Sequence, residues 1–474
     1  MIMLLRRPVV WWSTGFLASG GVAGLMVCLF YGCSSQTLPG PPPTPLAPGS
    51  RSEYFVSPQG LATNDGSPER PLDLATALSG QSPVQAGQKI WLRGGTYRGA
   101  FVSHLNGSAS APIVVRNYQG ERAILDGANP DAVQHGIVLQ VVGTHTWFWG
   151  LELTFSNPSR AVTTQASAPN GVYANESSDI KFIDMIVHDL PGQGFGVWAE
   201  SVNVELYGNI IYHNGTNDLD HGIYAQNMTD TKRIEDNIVF EQASHGLHSY
   251  GSSNAFLDHL YVSGNVIFNN GLLLGDPQRN ILIGGGRVAH DLTLTDNYTY
   301  FPPGGGRGSN NIGYAAGCAD ATITGNAFVG PNALTLVNCT PAMSKNEFVG
   351  SIEPPDLPAA FADNTYLPSL PVGLRVVVRP NRYEQGRAHI IVYNWDLQTQ
   401  ISVDLAPSGL RSGQAFEIRD VQNLFSEPLL TGTYAGVPVT LPMTGLRTAT
   451  PTWSHAVAPR HTLPEFGVFL VLPR

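Results

Sequence analysis

At 474 residues the chain is too long for one ordinary hydrophobic core, so more than one domain is expected. Gly (52) and Pro (35) are abundant and charged residues make up only 13%, which argues against a helical protein and for turn-rich β structure. Acidic residues outnumber basic ones by 36 to 26, and the net charge of −10 excludes the basic stripe of a nucleic-acid binder.

Residues 1–33 read as an export segment. Arg6 and Arg7 precede an apolar run from about Pro8 to Tyr31, which ends at Gly32-Cys33-Ser34-Ser35. A small residue, Cys and two Ser resemble a bacterial lipobox, which makes Cys33 the candidate for lipidation. An uncleaved membrane anchor and ordinary secretion are the alternatives, since the run is long enough to span. All three place the body outside the cytoplasm, touching a membrane only through that N-terminal lipid or anchor. Residues 34–52 form a Pro-rich, extended linker.

The next stretch carries Tyr54-Phe-Val-Ser-Pro-Gln-Gly60, Asn64-Asp-Gly-Ser67, Pro71-Leu-Asp-Leu-Ala-Thr-Ala-Leu78, Gly87-Gln-Lys-Ile-Trp-Leu-Arg-Gly-Gly-Thr-Tyr97 and Ile124-Leu-Asp-Gly127. It resembles the N-terminal coils of pectate-lyase-like right-handed parallel β-helix proteins, those of the family-9 polysaccharide lyases above all. The resemblance extends over roughly residues 53–350. It implies the fold strongly and an activity on polysaccharide more weakly. Within it, Asp73 to Leu78 is expected to form a short helix closing the open end of the coil.

Repetition supports the same fold independently. Six copies of apolar-x-x-Asn-apolar centre on Asn209, Asn237, Asn265, Asn297, Asn326 and Asn346, at steps of 28, 28, 32, 29 and 20 residues. A second phrase precedes most of them, beginning at Asn170, Phe195, His221, His245, Asn280 and Asn311. Two short β phrases per repeat fit one coil of a parallel β-helix, and stacking of coils supplies the core. The crossover rule makes it right-handed. The helix is expected over 53–353, and the Asn residues should form a structural stack inside a turn.

Strand side chains alternate, so register predicts what is exposed. Val172, Val197, Ile223, Leu247 and Leu282 are expected inside. Tyr173, Trp198, Tyr224, His248, Ile283 and Tyr314 then form one outward column, with Asn175, Glu200, Gln226, Tyr250, Gly285 and Ala316 beside it. An aromatic strip edged by amides, a carboxylate and imidazole suits a sugar groove, or an interface covered by the C-terminal domain. Three loops bring chemistry to this face: His213 to His221 with Asp218 and Asp220, Ser244 to Tyr250 with His245 and His248, and Asp276 to Asn280 with Arg279. His248 and Tyr250 are the candidates for proton transfer. Glu200, Asp218 and Asp220 are alternative catalytic carboxylates, and Asp218 with Asp220 is a candidate Ca²⁺ site. His221 and His245 either bind substrate or cap turns.

Family-9 lyases use a Lys base with Ca²⁺. The four lysines here are Lys89, Lys181, Lys232 and Lys345, and none is expected on the aromatic face, so that role is not carried over. Lys181, Glu205 and Arg233 should align as a solvated charge ladder elsewhere. Segments Asn311–Cys318 and Asn332–Cys339 match position for position, 21 residues apart. This puts the two cysteines on adjacent coils about 4.8 Å apart, within disulfide range.

Beyond a connection over 354–371, six strand-like runs in residues 372–474 predict an ancillary β-sandwich. The expected protein is thus an extracytoplasmic, monomeric, carbohydrate-active β-helix. A polysaccharide lyase acting on a uronate-containing chain is favoured, with a glycoside hydrolase, a uronate epimerase or a non-catalytic glycan binder as alternatives. No cofactor other than Ca²⁺ is suggested.

Overall fold

The computed structural model describes residues 51–160, 168–303 and 309–474; the export segment, Cys33 and nearly all of the linker lie outside them. No helix among the described residues is long and apolar enough to cross a membrane. The architecture is a right-handed parallel β-helix followed by antiparallel sheets.

The coil repeat has a local cause. In each apolar-x-x-Asn phrase the residue before the Asn turns the chain with positive φ: Gly208 (68°), Asp236 (53°), Gly264 (69°), Asp296 (53°), Gly325 (70°) and Lys345 (57°). Gly and Asp recur there because they tolerate that backbone region. The Asn that follows reaches one coil onward. Asn237 Nδ2 donates to Asn265 Oδ1 at 2.9 Å, Asn265 Nδ2 to Asn297 Oδ1 at 2.9 Å, and Asn297 Nδ2 to Asn326 Oδ1 at 2.9 Å. Each Oδ1 also accepts the backbone N–H of the previous Asn, as Asn265 does from Asn237 at 3.0 Å. The stack starts at Met185, whose N–H donates to Asn209, and runs on to Asn364. A second stack of Asn214, Gln242, Asn270 and Asn280, bridged by side-chain to backbone or side-chain bonds, escaped the sequence reading.

The helix presents three faces, each a ladder of parallel strands. The first includes Asn170–Ala174, Phe195–Val197, Ile223–Ala225, Leu247–Gly251 and Ile281–Gly285. The second includes Ile210–Tyr212, Ile238–Phe240, Val266–Phe268 and Tyr298–Tyr300. The third includes Lys181–Ile183, Glu205–Tyr207, Lys232–Glu235 and Leu260–Ser263. At the N-terminal end the helix Leu74–Leu78 forms, capped by the Asp73 side chain and burying Leu74, Ala77 and Leu78. At the other end Cys318 and Cys339 are joined by a disulfide with Cα atoms 4.7 Å apart, as the register required. One more parallel strand, Thr365–Leu367, pairs beyond residue 353.

The C-terminal region folds as a five-stranded antiparallel sheet with a separate two-stranded sheet. It covers the second face. Tyr212, Phe240, Phe268 and Tyr300 share a buried cluster with Ile391, Tyr393, Phe466 and Val468. Phe466 stacks on Tyr300 with ring centroids 4.6 Å apart. Polar contacts fix the docking: Tyr300 Oη donates to Glu465 at 2.7 Å, and Gln422 Nε2 to Glu241 at 3.0 Å.

Lys181, Glu205 and Arg233 do align on the third face. Much of this ladder is not solvated, however. The end of the strand Leu374–Pro380 and the turn that follows it lie over part of it. There Arg382 pairs with Glu205 and Glu235, Lys181 Nζ donates to Tyr383 Oη at 2.8 Å, and Arg379 pairs with Asp236 at 2.7 Å. The charges are the footing of the C-terminal domain. Of the three faces, the first is left open.

Candidate functional site

Register on the open face decides which side chains meet, and it departs from the expected one at two coils. Tyr173 is level with Gly196, not Trp198; Gly196 is level with Tyr224, and Tyr224 with His248. Trp198 therefore belongs to the neighbouring column, two residues on. Glu200 lies two residues further still, on the exposed turn. The absence of a side chain at Gly196 lets the Trp198 ring lean back between Tyr173 (centroids 5.5 Å) and Tyr224 (5.2 Å). The aromatic strip survives, assembled from two columns. One coil on, Leu247 pairs with Ile281 and His248 with Leu282, so Ile283 is the inward residue and Leu282 the outward one. The sequence phrases had been aligned one residue out of step there. Tyr314, 40% exposed, sits level with Gly284 across a bulge, apart from the main cluster.

The strip ends in a cluster of three imidazoles. His221 and His245, from successive coils, stack with centroids 5.1 Å apart and planes 5° from parallel. His248 stands edge-on to both, and its Nδ1 shares a hydrogen bond of 2.7 Å with His221 Nε2. His245 Nδ1 accepts the Arg279 backbone N–H at 3.2 Å. One ring nitrogen from each of the three lies within 4.8 Å of the others. Burial disfavours the charged form of all three. His221 falls well below the ordinary imidazole range, His245 to about 3 and His248 to about 4, with neighbouring imidazoles adding to the first two and the Arg279 guanidinium to the last two. The rings are neutral near pH 7.

An open pocket of about 390 Å³ lies over this cluster, lined by Gln193, Trp198, Leu219, His221, Tyr224, His248 and Tyr250. Tyr250 rests against His248 at 5.7 Å, and the rings of Tyr224 and His248 are 5.5 Å apart. Gln226, expected to meet substrate, is 6% exposed. Its Nε2 donates to Tyr224 Oη at 2.8 Å and to the Tyr250 carbonyl at 3.2 Å, so it holds the two tyrosines in place.

Neither predicted Ca²⁺ ligand joins a metal-binding group. Among the described residues the only cluster of three or more metal-ligating side chains is the three histidines. Asp220 is buried and its carboxylate staples its own loop, accepting from Thr216 N–H at 2.9 Å, Asn217 N–H at 3.1 Å and Asn217 Nδ2 at 2.6 Å. Burial raises it to about 6. Asp218 is exposed on that loop, and its carbonyl accepts the Ser244 hydroxyl at 2.6 Å.

Lys232 was passed over in the sequence. It is fully buried, and its Nζ donates to the carbonyls of Trp198 (2.8 Å), Val197 (3.4 Å) and Gln226. Removal from water pushes its ammonium well below the ordinary lysine range. It thus ties the turn bearing Trp198 to the one bearing Gln226, from behind. The signal was available: Lys232 stands level with Leu260 at an inward position where neighbouring coils place apolar residues.

Residues 54–271 match the Pel9A-like right-handed β-helix region. That Pel9A-like region contains the whole histidine cluster. Pectate lyase PEL9 of Emericella nidulans is 30% identical over 177 residues, which cover 33% of this chain and 40% of that protein. The uncharacterized protein YwoF of Bacillus subtilis is 27% identical over 224 residues, 47% of this chain and 42% of that one. The chain therefore spans about two fifths of the length of these curated relatives. Among solved structures, pectate lyase Pel9A aligns with 18% identity and a TM-score of 0.44, over 62% of this chain and 80% of that one. A rhamnogalacturonan lyase aligns with 15% identity and a TM-score of 0.39, over 63% and 76%.

Proposed function

We propose that the protein is an extracytoplasmic polysaccharide lyase that cleaves a uronate-containing chain by β-elimination on the open face. The observation that carries this reading is the meeting of Trp198, Tyr224, Tyr250, His221 and His248 around one pocket, with His245 stacked on His221, on a face the C-terminal domain leaves free. The Pel9A-like region and the pectate lyase relative supply the chemical class.

In this reading Tyr173, Trp198 and Tyr224 stack on the C–H faces of successive sugar rings. The Arg279 guanidinium, which acts on both His245 and His248, draws the uronate carboxylate towards the cluster. Neutralising that carboxylate acidifies the neighbouring C–H. The proton passes to His248, or to Tyr250 as its phenolate, the C4–O bond breaks, the electron pair of the C–H bond becomes the new C=C, and the departing oxygen takes up a proton. A neutral imidazole near pH 7 is free to accept a proton, which a charged one is not.

The test is incubation with a panel of pectic, alginate-type and neutral polysaccharides. The ultraviolet absorbance of an unsaturated uronate should grow, and the paired variant His248→Ala/Tyr250→Phe should abolish it. New reducing ends without that absorbance point to hydrolysis, and retention on glycan without either product points to a binding protein.

A further inference from the structure

We propose that His221, His245 and His248 form a binding site for a divalent first-row transition metal of the zinc class. The inference rests on the lyase reading only for what the metal does, not for whether it binds.

The geometry carries it. Three imidazoles from two adjacent coils converge with one ring nitrogen each inside 4.8 Å, and no carboxylate belongs to the group. Neutral nitrogen ligands select zinc-like ions, whereas Ca²⁺ calls for six to eight oxygens. His221 is 3% and His245 8% exposed, so the site is built into the fold and not made by chance surface neighbours. It nevertheless opens on the pocket through His221 and His248. His221 Nδ1 and His248 Nε2 are buried and have no hydrogen-bond partner among the described residues, so each can carry its ring's proton while the other nitrogen of the ring binds an ion.

The step to the bound form is small. His221 Nε2 and His248 Nδ1 now share one proton across 2.7 Å. Two nitrogens on a tetrahedral ion with bonds of roughly 2.0–2.1 Å lie about 3.3 Å apart, so the ion takes that position with a shift of roughly half an ångström, and the displaced proton moves to the outer nitrogen of the same ring, leaving both imidazoles neutral. His245 completes the trio through its ring nitrogen within 4.8 Å of the other two. Three neutral ligands leave the ion's charge uncompensated, and Arg279 adds to it. The open coordination position therefore calls for an anion, and a uronate carboxylate is one. With His248 on the metal, proton abstraction falls to the Tyr250 phenolate, which the nearby cation favours.

The test uses the full chain, stripped of metal, titrated with Co²⁺ alone while the visible ligand-field bands are followed, then with Zn²⁺ to displace them. One saturable equivalent is expected. His248→Ala, at the half-exposed member of the trio, should fold as the wild type does and weaken uptake at least about tenfold, with His221→Ala and His245→Ala doing the same. Zn²⁺ should raise the melting temperature of the wild type and leave that of His248→Ala unmoved. No saturable uptake by the wild type, or uptake that survives His248→Ala, overturns the site. Metal uptake without any elimination product sinks the lyase reading and spares the site; elimination without metal uptake does the reverse.

Discussion

Single residues on the open face do separable jobs. In the proposed reading Trp198 offers a ring to a sugar, and Gly196 makes the room that lets it lie between Tyr173 and Tyr224. Trp198→Ala should weaken binding of an oligouronate about tenfold, roughly 1.4 kcal/mol, with little change in folding stability; isothermal titration with a non-cleaved oligosaccharide measures it. The imidazoles also leave a mark on stability. Below the ordinary histidine value of 6.5 the unfolded chain takes up protons that the folded one refuses until about 4 at His248 and about 3 at His245. The stability these neutral rings contribute is present above pH 6.5 and is lost as the pH falls through that interval. Asp184 and Asp220, raised to about 6 by burial, act in the opposite sense: their contribution is complete below 3.8 and fades as the pH rises towards 6. Comparing urea melts of wild type and His248→Ala isolates the imidazole part. The variant should lose stability less steeply between pH 6.5 and 4, and parallel curves would contradict the assignment.

At the scale of elements, the coil turn is held by the Asn stack. Asn265 accepts from Asn237 and donates to Asn297 and to the Ile234 carbonyl, all in a fully buried position. Asn265→Ala leaves several of these groups unsatisfied and should cost about 3 kcal/mol in chemical denaturation. Asn364→Ala, at the partly exposed end of the stack, should cost less. This element was legible in the sequence because the same residue recurs after the same positive-φ turn, and a period needs no side-chain detail to be seen. The disulfide was legible for the same reason. Register inside the open face was harder. Placing Trp198 level with Tyr173 matched Phe195-Gly-Val-Trp to Asn170-Gly-Val-Tyr by their shared Gly-Val, whereas Phe195 is level with Val172, two residues further along that phrase. Ile283 was misplaced likewise, because the aligned phrases begin at different points of their turns. The loops of His221, His245 and His248 were legible as meeting on one face, but the closeness of the three rings was out of reach. It depends on how rings at a turn lean, which parity along a strand does not encode.

Across the whole molecule, the C-terminal domain acts as a cover for one apolar face of the coil and a clamp on a charged one. Its strands were readable as strands, but where they dock was not. Phe240, Phe268 and Tyr300 look like ordinary strand aromatics until Phe466 is laid against them. Phe466→Ala empties the centre of this contact and should lower stability by about 3–5 kcal/mol, with coil and C-terminal domain still melting in one transition; two separate transitions in calorimetry would show that the domains are not a cooperative unit. With the second face covered and part of the third clamped, ligand access in the proposed reading falls to the first. The most direct test of that division is a crystal structure of the Tyr250→Phe variant with a bound oligouronate. Sugar rings should lie along Tyr173, Trp198 and Tyr224, with one carboxylate at the His248–Arg279 end. Sugar lodged instead between the coil and the C-terminal domain, near Arg116 and Arg419, would contradict the account.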